Sequence, residues 1–157
     1  MLTSNFGRLG RWISFNSRIC VYCGNNADTV DHFPPRSASF RGLLLPCCRE
    51  CNNLAGTEHP FDFARRVELV KEKIKKRNKK ILDMPIWHQD EIEELGPNMR
   101  RQVILCQNKR RNVHRRLAWN AFAHIAFIVQ TNDSALVNAV MDFITINDWL
   151  QSNSSDS

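Results

Sequence analysis

Beyond Arg116 the chain has no lysine or arginine: all 22 basic residues lie at or before that position, and the last 41 residues hold only Asp133, Asp142, Asp148 and Asp156 as formal charges. The net charge of +6 therefore divides unevenly. Residues 1–116 carry 22 basic against 12 acidic residues, a net +10, and residues 117–157 carry −4. Such an excess makes the first part a candidate polyanion binder, with a solvated helix surface as the plain alternative. Long hydrophobic runs are also missing. The opening MLTSNFGRLGRWISFNSRIC has basic residues but no apolar run after them, unlike a secretory leader. The longest apolar stretch, Ala121 to Val129, is interrupted by His124 and is far short of the ~20 residues a membrane span requires. These absences predict a soluble, cytoplasmic protein without membrane association. No internal repeat and no low-complexity linker divides the 157 residues, and with 43% apolar residues the chain can bury a core of its own.

Cysteine is concentrated. Five of the six cysteines fall in two short motifs, Cys20-Val-Tyr-Cys23 and Cys47-Cys48-Arg-Glu-Cys51, separated so that 24 residues lie between Cys23 and Cys48. In a reducing compartment that pattern points to metal and not to disulfides. Two CxxC pairs supply the four thiolates of a closed tetrahedral site, so Cys20, Cys23, Cys48 and Cys51 are read as ligands of one structural Zn2+. Cys48 is chosen over Cys47 because it stands two residues from Cys51, as the CxxC pattern requires. Cys47 and Cys106 are then small buried hydrophobes.

Thr29 to Phe33 is short and β-prone and ends at Pro34-Pro35, and Gly42 to Pro46 is a second short strand that would pair with it as a hairpin. Residues 48–55 read as a knuckle opening a helix that stops near Gly56. A long helix begins around Pro60 to Asp62, with Phe63, Val67, Val70, Ile74 and Ile81 as its apolar face. A short acidic helix over Asp90 to Leu95, a third long helix from Asn98 to about Gln130 and a last one from Asp133 to about Leu150 complete the expected elements. The fold class predicted is α+β, mainly α: a small zinc-bound ββα core over residues 1–60, three to four helices packed on it over 61–150, and a disordered tail over 151–157.

Between the two knuckles lies DHFPPRS, and CNN follows the second. In this order and spacing the sequence resembles the HNH nuclease family, whose zinc-bearing members read as Cys-x-x-Cys, Asp-His-x-x-Pro, then Cys-x-x-Cys followed by His or Asn. The resemblance covers about residues 20–56. It implies a ββα-metal or treble-clef fold, phosphodiester cleavage and a catalytic Mg2+ or Mn2+ distinct from the zinc; small proteins of this kind are frequent in phages, and if phage-encoded this one would act in a host cytoplasm. The residues themselves suit those roles. Asp31 and Asn52 offer two hard oxygen ligands for a divalent cation. Neutral His32 can take a proton from an attacking water. Arg36, four residues on, is a candidate phosphate clamp. The family's middle asparagine has no counterpart in FRGLLLP. Two functions are therefore expected: a metal-dependent HNH-type DNA endonuclease or nickase, or a catalytically inactive module of the same scaffold that binds nucleic acid or a protein.

Two basic clusters are the candidate nucleic-acid contacts, Lys75, Lys76 and Lys79 on the first long helix and Lys109, Arg110, Arg111 and Arg115 on the third. The helices after Arg116 are apolar enough to form a core or a homodimer or partner surface.

Overall fold

The computed structural model describes residues 12–15, 17–38 and 42–131. Strand β1 (Trp12–Ser14) is followed by β2 (Thr29–Phe33) and β3 (Gly42–Cys47), then by helices α1 (Arg49–Ala55), α2 (Phe63–Arg77), α3 (Lys79–Leu82), α4 (Gln89–Glu93), α5 (Pro97–Ala118) and α6 (Ala121–Thr131). The protein is mainly helical with one small sheet.

The expected hairpin is present, with β2 antiparallel to β3 and Asp31 opposite Leu45. Its alternation puts Asp31 and Phe33 inside and leaves His32 half-exposed, as the two-residue period of a strand requires. β1 adds to the other edge of β3 in parallel, giving the order β1-β3-β2. That strand was not foreseen, because residues 1–19 show no periodicity.

Asp62 caps α2 by accepting from the Arg65 N–H at 2.9 Å, where the proline and carboxylate predicted a start. The helix does not continue to Ile81. The Asn78 side chain donates to the Ile74 carbonyl at 2.8 Å, and α3 begins as a separate turn. The third long helix is likewise two helices. Trp119 has extended backbone and its indole Nε1 donates to the Val21 carbonyl at 3.1 Å, while Asn120 accepts from the Ala123 N–H at 2.9 Å and opens α6. A tertiary contact of Trp119 thus overrides a helical pattern that reads as continuous.

One hydrophobic core joins these pieces. Val21 and Tyr22 from the first knuckle, Phe33, Leu43 and Leu45 from the hairpin, Leu54 from α1, Val67, Val70 and Ile74 from α2, Val113 from α5 and Ile128 from α6 are all buried in it. Phe63 stands among Tyr22, Phe33 and Phe122 at ring-centroid distances of 5.9, 5.6 and 5.5 Å. α5 packs along α2 and α3. No helix among the described residues is long and apolar enough to cross a membrane. The expected last helix, residues 133–150, and the tail 151–157 lie outside the described residues.

Candidate metal centre and polar cluster

The first knuckle is a tight turn in which the Gly24 N–H donates to the Cys20 carbonyl at 2.9 Å and the Cys20 N–H to the Asn25 carbonyl at 2.7 Å. The second forms where β3 runs into α1: Cys48 is the N-cap, and the Cys51 N–H points at its sulfur at 3.5 Å. The Val21 N–H donates to the Pro46 carbonyl at 2.9 Å and so docks one knuckle beside the other. All four sulfurs then lie within 4.8 Å of one another, and Cys23 Sγ is 3.8 Å from Cys48 Sγ. Sulfurs about 2.3 Å from a tetrahedral zinc are about 3.8 Å apart, so the spacing fits. Cys20, Cys23 and Cys51 are buried and Cys48 is half-buried. This group could hold a structural metal ion such as zinc. Cys47 is buried but is not one of the four.

Crowded thiols cannot all ionise alone. The Cys20 and Cys51 thiols are pushed up by the neighbouring sulfurs, Cys23 is pulled down by the Cys20 thiol, and Cys48 is lowered to about 6, chiefly by Cys20. A divalent cation resolves that conflict, because it favours the thiolate at every position. The guanidinium of Arg116 stands beside this cluster. Burial opposes its charge, but Glu50 and the thiolates of Cys23 and Cys51 more than offset that and raise its pKa.

Asp31 sits differently from the open magnesium ligand expected of it. It is 4% exposed. Arg66, itself wholly buried, grips it through two hydrogen bonds, Nη2 to Oδ1 at 2.8 Å and Nε to Oδ2 at 3.1 Å. The Tyr22 hydroxyl donates to Oδ2 at 2.5 Å. Both carboxylate oxygens are therefore committed inside the protein. The remaining donors of Arg66 reach the Glu58 and Gly56 carbonyls at 2.8 Å each, so this one side chain ties β2, the first knuckle and the loop after α1 together. Burial, and then the Asp31 charge, raise the Tyr22 phenol well above its ordinary range, which keeps it a donor.

His32 is half-exposed on the opposite side of β2. Its Nε2 accepts from Arg36 Nε at 2.9 Å, and its ring meets Trp12 edge-on at 4.8 Å. Desolvation, and then the Arg36 charge, lower its pKa, so the ring is neutral with Nε2 unprotonated at pH 7. Asn52 is half-buried on α1, which packs on β2; its backbone N–H donates to Cys48 and its carbonyl accepts from Gly56.

The basic residues divide into two kinds. Lys75, Lys76 and Lys109 are exposed. Lys79 pairs with Asp83, and Arg111 donates to Asn108 Oδ1 at 2.5 Å. Arg110 donates to the Met84 carbonyl, and Arg115 to Asn25 and to the Gly24 carbonyl, so these two brace loops inside the fold. Arg66, Tyr22, Arg116 and Trp119 were missed as site residues. A signal for Arg66 was present: it falls between Phe63 and Val70 on the apolar stripe of α2, where a guanidinium needs a buried partner.

Gly24 has φ +72°, and a Cβ there would meet Trp119 Cε3 at 2.5 Å. Gly24→Ala is therefore expected to lower stability by about 1–3 kcal/mol through overpacking, with added backbone strain. Thermal unfolding of the metal-loaded protein checks this: an unchanged midpoint would show that Trp119 does not cover the knuckle.

Comparison of the chain with family models, curated proteins and solved structures finds no match. The class that the fold and the cluster define is a mainly helical protein carrying a CxxC…CxxC group able to hold zinc.

Proposed function

We propose that the protein is a zinc-stabilised DNA-binding module with an HNH-like ββα layout, in which Asp31 serves the core and not a second metal. The observation that carries this reading is the clasp of Asp31 by Arg66 and Tyr22. A hard cation takes oxygen ligands that keep lone pairs and access. Asp31 has little of either, so the residues present do not fit a catalytic Mg2+ or Mn2+. The missing middle asparagine agrees with this. The order hairpin, knuckle, helix, with DH on β2 and CN on α1, supports the HNH-like layout.

In this role the zinc would hold the knuckles, Arg66 would hold the hairpin to α1 and α2, and Lys75, Lys76 and Lys109 would face phosphates. Neutralising three phosphates lets affinity fall by about 40-fold between 50 and 200 mM salt, from a slope of roughly −0.9 per contact. Binding of a short duplex, followed by fluorescence anisotropy across that salt range, tests the reading. Reversing Lys75, Lys76 and Lys109 to Glu is expected to remove most of the salt dependence and at least tenfold in affinity. Wild type whose affinity is equal at both salts would contradict it.

A second reading, the HNH-type endonuclease or nickase, is favoured by one observation: a neutral, half-exposed His32 has the Arg36 guanidinium beside it, and if Arg36 turned from Nε2 to a phosphate it would free that lone pair to take a proton. In that case His32→Ala would slow cleavage by ~10²–10⁴-fold while leaving fold and metal intact.

A further inference from the structure

Resting on the four-cysteine reading of the metal centre, we propose that Arg116 is its charge-compensating residue, a positioning group on α5 that is held in place by Glu50 and that sets how tightly the ion is bound. A divalent ion with four thiolates carries a net charge of −2, and leaving that charge buried and unbalanced is unfavourable. Among the described residues, the cation brought to the cluster is Arg116, 65 residues beyond Cys51 by the numbering of the sequence. Arg116 is only 6% exposed. Its Nη2 donates to Glu50 Oε2 at 2.8 Å, and Glu50 lies on α1 between Cys48 and Cys51. Its Nε is buried without a hydrogen-bond partner among the described residues, and its charge faces Cys23 and Cys51.

The surrounding contacts fix that position. Arg115 donates to the Gly24 carbonyl at 3.5 Å, Trp119 covers Gly24 and bonds Val21, and so the last turn of α5 is seated on the first knuckle. Of these three side chains, Arg116 is the one whose charge faces the sulfurs. An arginine suits the task because it stays protonated and is more weakly hydrated than an ammonium. Glu50 alone would add negative charge beside the thiolates, so its part is to orient the guanidinium.

Cobalt titration of reduced, metal-free full-length protein tests this, since thiolate-bound Co2+ reports its own binding by absorbance. Arg116→Met keeps much of the side-chain length and removes the charge, and it is expected to weaken cobalt binding by about 10- to 100-fold, the range for losing a supporting partner of a metal ligand. Glu50→Gln keeps an oxygen that can accept from Arg116 Nη2, and so the guanidinium's placement, while removing a negative charge from beside the sulfurs; it should bind cobalt as tightly as wild type or more tightly. Arg116→Met binding as tightly as wild type would overturn the proposal, as would Glu50→Gln losing as much as Arg116→Met, because the pair would then be a structural clasp only. If Arg116→Met takes up no cobalt at all, Glu50→Gln decides by the same criterion. Wild type that takes up no cobalt overturns the four-cysteine reading itself.

Discussion

Cys51→Ser is expected to strip the metal from the protein and unfold the region built on the two knuckles. Structural zinc contributes roughly 10–16 kcal/mol of apparent binding free energy in small zinc domains, against a typical total domain stability of about 5–15 kcal/mol. Losing one of four ligands therefore removes more than the fold has to spare. The contacts built on the first knuckle, Val21 to Pro46, Tyr22 to Asp31 and Trp119 to Val21, all depend on the turn that the four sulfurs hold, so they are lost with it. Cys20→Ser should behave the same way. Cys106→Ser should leave metal content unchanged, because Cys106 stands apart from the four on α5. Lower pH should weaken metal uptake, because each ligand must lose its proton to bind. Zinc content and thermal unfolding of the four proteins check this together; a Cys51→Ser protein that keeps one zinc and the wild-type midpoint would show that the cluster is not a metal site.

Arg66→Ala should be the most damaging substitution outside the cysteines. It leaves the Asp31 carboxylate buried with only Tyr22 to answer it, and breaking a buried pair from one side costs about 3–5 kcal/mol. The carbonyls of Gly56 and Glu58 lose their donors as well. Asp31→Ala should cost a similar amount by stranding the guanidinium, whereas replacing both residues with apolar side chains of matching volume should cost less than either single change. Tyr22→Phe removes one hydrogen bond and should cost about 1–3 kcal/mol. Chemical denaturation of the three single variants and the apolar double variant checks this order; adding Arg66→Ala/Asp31→Ala closes the cycle that gives the coupling. A metal ligand on an open site would behave differently: Asp31→Ala would then be neutral or stabilising, and that result would return Asp31 to a functional role.

The parts of the fold that local sequence describes are the ones that were legible. The hairpin followed from β-prone residues bounded by Pro34-Pro35 and by Pro46, the metal cluster from CxxC spacing, and the start of α2 from Pro60 and Asp62. What was not legible depends on distant partners. Asp31 beside His32 reads locally as half of a catalytic pair, and its partner Arg66 lies 35 residues away on another element. The break between α5 and α6 depends on the Trp119 indole reaching Val21, 98 residues earlier. Arg110, Arg111 and Arg115 read as one basic cluster, yet two of them spend their donors on backbone carbonyls or Asn25 within the fold. Periodicity could have placed Arg66 and Arg116 on buried faces, since both fall at helical spacing from buried valines, Val70 and Val113.

The most direct test of the account is incubation of zinc-loaded protein with supercoiled plasmid at low salt, with magnesium or manganese, followed on an agarose gel. The expected result is a retarded plasmid band that salt releases as intact supercoiled DNA. Conversion to nicked or linear DNA that requires the added cation and is lost in His32→Ala would contradict it and make the protein a nuclease.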